Sequence, residues 1–298
     1  MPVPHVLLVL AVVFVWGTNF VVTRWALDEV PPLTTAALRF FFAAWPGVWL
    51  MPRPRVAWRW LAASGLAAGP GQFGLLYWAI HADLAPGLAS LLMQCQVFFT
   101  IALAAWLFGE RVSRRSLAGL AVALCGLAII GAHTGADATP TGIVVVLLAA
   151  ACWAVGNLVV KQAARSAPAG LPMLPFMVWS SLFACAPLVL LALAIEGPAT
   201  IAASLGAASP AGWAAVIWQA LGNALLGFGI WNWLLARHRA EAVTPFALLV
   251  PVFGMGSSAL LLHEPMPAWK LLAAALVMAG LALHAMPARS RGAGRHGP

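Results

Sequence analysis

Charge is what this sequence has least of. Only 8% of its 298 residues are Asp, Glu, Lys or Arg, and 63% are apolar. Soluble domains carry about 25% charged residues. A soluble fold of this size could not cover its surface with so few, so a water-soluble enzyme is excluded. Disorder is excluded too, because disordered chains are poor in apolar residues. Cysteine is also scarce: Cys95, Cys125, Cys152 and Cys185 lie in apolar runs and lack metal-ligand spacing. Buried thiols of this kind behave as small apolar groups. The sequence has no nucleotide-binding loop, no His-rich motif and no plausible nucleophile–base pair. Catalytic residues, a cofactor and a metal site are therefore not expected.

What is present is a series of long apolar runs. Ten are separated by Pro, Gly and charge clusters, at about residues 5–23, 33–51, 60–80, 86–108, 116–133, 141–160, 174–195, 212–235, 243–262 and 268–286. A bilayer span takes about 20 residues, so ten spans use about 200. Little remains beyond short loops and tails. The expected architecture is all-α, a polytopic membrane protein with ten transmembrane helices. The segment 287–298, with Arg289, Arg291 and Arg295 among Gly and Pro, reads as a disordered tail.

The few charges orient the chain. With the N-terminus in the cytoplasm, 13 of the 16 basic residues fall on the cytoplasmic side, and Arg24 and Lys270 on the other. Arg39 lies within the second run. Asp28, Glu29, Asp83, Asp137, Glu196 and Glu264 fall outside, and Glu110 and Glu241 inside. Only an even number of spans, with both termini cytoplasmic, separates the charges in this way. The net charge of +8 is then topological, and nucleic acid is not an expected partner. The lipid bilayer and a small-molecule substrate are; the oligomeric state is not readable.

The two halves resemble each other. Phe108-Gly109-Glu110 matches Leu262-His263-Glu264, and the same offset of 154 aligns Gly126-Leu127-Ala128 with Gly280-Leu281-Ala282. Asn19-Phe20-Val21-Val22 matches Asn157-Leu158-Val159-Val160. The repeats are expected at residues 1–133 and 141–286, five spans each. An odd number per repeat inverts the second half in the membrane, an architecture that places transport sites at the repeat interface near the midplane.

Polar side chains inside the runs are costly and usually face the bundle interior or a water-filled path. Trp16, Asn19, Phe20 and Thr23 share one helical face, and Trp153, Asn157 and Lys161 repeat the pattern. Arg39 sits ~9 Å beyond Leu33. It can offer a bidentate fork to a substrate carboxylate, or snorkel outward and pair with Asp28 or Glu29. Gln72 follows Gly69-Pro70-Gly71, a stretch able to loosen the helix. Gln94 and Gln96 are about 200° apart on an α-helix, so only one is expected on the path. Trp179 marks the seventh run. Gln219, Asn223, Gly227 and Trp231 form a drifting stripe in the eighth. Helix–helix hydrogen bonding and close packing are the structural alternatives for these residues. No Asp or Glu falls inside a run, and all seven His stand at run ends or in tails. An intramembrane proton relay is therefore disfavoured, and movement is expected to follow the substrate gradient or the substrate's own protonation.

Val15-Trp16-Gly17-Thr18-Asn19-Phe20, Pro31-Pro32-Leu33 with Leu38-Arg39-Phe40, Gly87-Leu88-Ala89-Ser90, Phe108-Gly109-Glu110-Arg111 and residues 248–254 resemble the EamA family of the drug/metabolite transporter superfamily. The resemblance covers about residues 6–286. It is nearer to family members that export O-acetylserine and cysteine, at Gln72-Phe73, Gln94, Gln96, Gly156-Asn157, Trp179-Ser180 and Trp231, with Asn232 and Cys95 departing from that pattern. It implies a bacterial inner-membrane exporter of small amino-acid metabolites working by alternating access. Asn19, Arg39, Gln72, Gln94, Gln96, Asn157, Trp179 and Trp231 are the expected substrate-binding residues. Export of drugs or aromatic amino acids is the alternative that the abundant Trp supports. An intramembrane enzyme would need acids or His within the runs; a channel would show non-saturable flux, and a membrane scaffold no flux at all.

Fusion proteins test the topology. A fluorescent protein at the C-terminus should fluoresce, and alkaline phosphatase there should be inactive. Phosphatase fused after Glu264 should be active.

Overall fold

The computed structural model describes residues 1–82, 84–133, 135, 138–167 and 170–285, apart from the side chains at 236, 240 and 241. The expectations for Asp83, Asp137, the side chain of Glu241 and the tail from 287 lie outside the described residues. The described chain is helical almost throughout. The helices are α1 (Val3–Leu27), α2 (Pro32–Ala44), α3 (58–82), α4 (Pro86–Phe108), α5 (Arg114–Ala132), α6 (Pro140–Arg165), α7 (Met173–Ile195), α8 (Pro198–Ala207), α9 (Pro210–Leu235), α10 (Thr244–Leu261) and α11 (Ala268–Ala285). Eight of them, all but α2, α3 and α8, are long and apolar enough to cross a membrane. The protein is an all-helical polytopic membrane protein.

Three local features depart from the plain helices expected. The second run breaks after α2: Trp45 is extended, and a separate turn follows at Gly47–Leu50. Helix α3 is α-helical over Trp58–Leu66 and Leu75–Ala82, with a π-helical stretch at Ala67–Gly74 between. Pro70 cannot donate an N–H to the ladder and opens it there. Helix α9 carries the counterpart, a π-helical stretch at Gln219–Leu226. The short apolar helix α8 occupies the connection between α7 and α9, which the sequence presented as a loop.

Contacts between connections sort them onto two faces. On one face, Glu29 meets Ser209, Glu196 meets Leu33 and Thr34, Leu84 bridges to Ala138, and Glu264 meets Gly87. On the other, Glu110 meets Lys161, Trp179 meets Met51, His5 meets His238, and Ser116 meets His284. We call these the acidic face and the basic face.

The acidic face is built from helix starts. Proline opens α2, α4, α6, α8 and α9, where its missing N–H is not needed. Three of these starts are capped by carboxylates from elsewhere in the chain. Glu196 accepts from the N–H groups of Leu33 (2.6 Å) and Thr34 (3.0 Å) and from the Thr34 hydroxyl. Glu29 accepts from the Ser209 N–H (2.6 Å) and hydroxyl (2.7 Å). Those bonds hold the Glu29 carboxyl below its usual range. Glu264 accepts from the Gly87 N–H at 2.9 Å. Each interaction puts negative charge at the positive end of a helix dipole.

Helices α5 and α11 meet through small residues in a reciprocal way. A Cβ on Gly119 would lie 2.4 Å from the Gly280 carbonyl oxygen, and one on Gly280 would lie 2.4 Å from that of Gly119. A Cβ on Gly126 would lie 2.8 Å from the Ala273 carbonyl oxygen. The offset of 154 maps 119 onto 273 and 126 onto 280. Position pairs therefore exchange across the contact, as an isologous twofold interface requires. Close backbone approach through small residues holds helices together in lipid, where apolar burial gives no advantage. Gly280→Leu is expected to lower the melting temperature in detergent, by overpacking of about 1–3 kcal/mol or more. Leu117→Ala on the exposed side of α5 should leave it nearly unchanged.

Candidate functional site

Two adjoining cavities lie inside the bundle. The central one, of about 290 Å³, is lined by residues of α1, α3, α4, α6, α9 and α10. The side chamber, of about 240 Å³, lies between α2, α3, α6, α7 and α9. Gln72, Phe73, Trp153, Asn157 and Phe228 line both and form the waist between them. The cavities reach Ala247 and Met173, in the first turns of α10 and α7 at the basic face. Toward the acidic face the central cavity ends at Thr23, Tyr77 and Ser90.

A buried polar network closes that end. Thr23 Oγ1 donates to Gln219 Oε1 at 3.3 Å, and Tyr77 Oη donates to the same oxygen. Arg39 Nη1 donates to Tyr77 Oη and Nη2 to Asn223 Oδ1, each at 3.0 Å. Asn19 Nδ2 reaches Thr23 Oγ1 at 3.4 Å. Arg39 is 2% exposed, and its guanidinium carbon lies 3.9 Å from the Phe73 ring centroid. The expected alternative, pairing with Asp28 or Glu29, is not what the structure contains: Asp28 pairs with Arg24 at 3.0 Å, and Glu29 caps Ser209. Among the described residues no carboxylate pairs with Arg39. Its charge is held by amide, phenol and ring alone.

Asn19, Gln72, Gln94, Gln96, Asn157 and Trp231 all line the central cavity, and Arg39 lines the side chamber. Gln94 and Gln96 were expected on different sides of their helix, yet both line the same cavity. The reason is a 3₁₀ turn at Met93–Cys95. At three residues per turn, positions two apart differ by about 240°, so the gap between them narrows from about 160° to about 120°. Gln96 Oε1 accepts from Asn157 Nδ2 at 2.8 Å, linking α4 to α6. Trp179 lies apart from both cavities: its indole donates to the Met51 carbonyl at 3.1 Å, and it packs on Trp58 at the basic face. Lys161, set on the same face as Asn157, pairs with Glu110 at the basic face.

The π-helical stretches explain what the sequence pattern missed. Tyr77 is five residues beyond Gln72, nearly opposite it on an α-helix. An i→i+5 helix brings the two toward one side. In α9 the same widening moves the lining from Asn223 and Gly227 to Asn223 and Phe228, while Gly227 packs on Trp16. The Asn223 carbonyl accepts from Trp16 Nε1 at 3.2 Å. Tyr77 is the single tyrosine of the chain, a phenol in a run otherwise able to use Phe or Trp, and this was the available signal.

The sequence pattern of the EamA-like transporter family matches residues 3–132 and 140–286. The chain belongs to that family, and it is a transporter rather than an enzyme. It is 39% identical over 286 residues to a protein of Salmonella typhimurium named a probable amino-acid metabolite efflux pump, covering 95% of each chain. A protein of Escherichia coli K12 with the same name is 37% identical over 288 residues, again covering 95% of each. A probable terminal-alkyne amino-acid exporter of Streptantibioticus cattleyicolor is 30% identical, over 93% of this chain and 91% of that one. A solved crystal structure with 19% identity matches with a TM-score of 0.64 over 94% of this chain and 95% of that chain, which shows the shared fold.

Tyr77→Phe removes the phenol that joins Arg39 to Gln219. Both are left short of a buried partner, so thermal unfolding in detergent should report a loss of about 1–3 kcal/mol.

Proposed function

We propose that the chain is a bacterial inner-membrane exporter of small amino-acid metabolites, O-acetylserine and cysteine among them. It crosses the membrane ten times as two inverted five-helix repeats, with the basic face and both termini in the cytoplasm. The observation that carries this reading is the buried guanidinium of Arg39. A guanidinium has five N–H donors, and Tyr77 and Asn223 account for two. A buried charge is costly without an opposite partner, so a substrate carboxylate arriving in the side chamber supplies the counter-charge. The amides of Gln72 and Asn157 at the waist and of Asn19, Gln94 and Gln96 beyond it offer acceptors to an ammonium group and donors to an ester or carboxylate. The aromatic walls take the remaining apolar atoms. The names of the relatives from Salmonella and Escherichia coli agree with cargo of this kind.

That the cavities reach the basic face and end below the acidic one supports reading this conformation as the cytoplasm-facing state of an alternating-access cycle. Movement follows the substrate gradient. Export of aromatic compounds is a second reading, favoured by the indoles of Trp16, Trp153 and Trp231 around the central cavity.

Overexpression should raise extracellular O-acetylserine and cysteine, with saturable efflux from loaded vesicles. Arg39→Ala should reduce that efflux at least tenfold, about 1.4 kcal/mol. Arg39→Lys should not restore it, because an ammonium lacks the fork. Saturable efflux that survives Arg39→Ala, or release of aromatic compounds alone, would overturn the assignment. Uphill accumulation driven only by an imposed pH gradient would overturn the proposed energetics.

A further inference from the structure

Glu264 and Lys270 were expected only as charges on the outer side. Instead they form a buried ion pair, with side chains 5% and 0% exposed and Lys270 Nζ 2.8 Å from Glu264 Oε1. The second oxygen of Glu264 accepts from the Gly87 N–H at 2.9 Å, and Lys270 also donates to the Pro265 carbonyl at 3.0 Å. The short connection between α10 and α11 is thereby fastened to the start of α4. Gly87 leaves room for this, since a Cβ there would lie 2.9 Å from Glu264 Oε2. One turn further along α4, a Cβ on Gly254 of α10 would lie 2.5 Å from Ser90 Oγ. Helices α4 and α10 are thus closed upon each other at the acidic face, directly above the central cavity.

The repeat mate of Glu264 is Glu110, since 264 minus 154 is 110. The two sites match in backbone as well: the preceding residues, Gly109 and His263, have φ of 65° and 53°. Glu110 ends α4 at the basic face as Glu264 follows α10 at the acidic face. The environments differ. The Glu110 side chain is 44% exposed and pairs with Lys161 of α6. The same offset carries Gly87 to position 241, so the inverted symmetry would have Glu110 clasp the chain just before α10; among the described residues its pairing is with Lys161 instead. The clasped face is the one where the cavity ends, and the unclasped face is the one it reaches. The other two acidic-face caps lack such mates: the offset of 138 carries Glu29 to Ala167, and the connection that corresponds to that of Glu196, residues 51–57, holds no acid.

We propose that Glu264, held by Gly87 and Lys270, is the latch that closes the outer side of the path, and that Glu110 closes the inner side in the opposite state by clasping the chain just before α10. This rests on the alternating-access reading above, but not on the identity of the cargo. The latch is broken and remade once per cycle, while Glu29 and Glu196 hold throughout.

The first test needs no substrate. The four native cysteines are replaced by serine, and Leu76→Cys, in the acidic-face half of α3 and lining the central cavity, serves as reporter. Its reaction with a membrane-impermeant maleimide is followed in intact cells and in inside-out vesicles. Adding Glu264→Gln should raise labelling from outside at least fivefold and lower it from inside. Adding Glu110→Gln should leave outside labelling at or below the reporter's level. Labelling unchanged by Glu264→Gln from both sides, in protein that elutes as a monodisperse species, overturns the latch. If that variant fails to fold, Gly87→Cys with Glu264→Cys gives the second measurement. Oxidation should stop efflux and reduction should restore it; efflux that continues across the formed disulfide overturns the proposal. Altered labelling without efflux of amino-acid metabolites would retain the latch and reject the cargo.

Discussion

A guanidinium buried in a helical bundle must be solvated by the bundle, and much of this interior is arranged around that requirement. Arg39 reaches the chamber wall from α2 and is met by Tyr77 from α3 and Asn223 from α9, with Phe73 beneath it. Tyr77 in turn needs Gln219, and Gln219 receives Thr23 from α1. Four helices are tied together by one charge. The network is neutral except for that charge. It can therefore hold the guanidinium without silencing it, as a carboxylate partner would. Two buried polar atoms beside it, Asn19 Oδ1 and Gln219 Nε2, have no partner in this state. Such groups are expensive to leave unpaired; Asn19 lines the central cavity, whereas Gln219 is wholly buried behind it.

The helices that carry the network are irregular in matched places. The π-helical stretches of α3 and α9, Ala67–Gly74 and Gln219–Leu226, are both eight residues long and stand 152 residues apart. Irregular backbone at membrane depth is tolerated where it is buried or lines a cavity, and both stretches do so. The regular helices α5 and α11 have the opposite task. They join through a reciprocal glycine and alanine contact and line neither cavity. The fold thus separates a close-packed joint between α5 and α11 from a widened, polar cavity lined by other helices.

The acidic face shows how scarce carboxylates can serve structure before chemistry. Glu29, Glu196 and Glu264 cap helix starts contributed by distant parts of the chain. Each satisfies N–H groups that would otherwise be orphaned near the membrane boundary. The sequence marks these residues only as outside charges. Burial of Glu264 and Lys270 could not be foreseen from their spacing, because six residues across a connection define no fixed geometry.

The sequence by itself determined the class of the molecule. Composition requires a membrane solvent and the apolar runs set the helices, while the charge distribution and the offset of 154 carry the proposed orientation and repeat. It also named most of the cavity: Asn19, Gln72, Gln94, Gln96, Asn157 and Trp231 line the central space, and Arg39 faces the side chamber. Only the tertiary structure decided the partners and the faces. Trp179 turned out to anchor the basic-face connection, Tyr77 entered the site, and Gln94 and Gln96 came to share one cavity. The reason is that facing is read from sequence by assuming 3.6 residues per turn. This protein abandons that period, through π and 3₁₀ turns, at the places where its helices line the path.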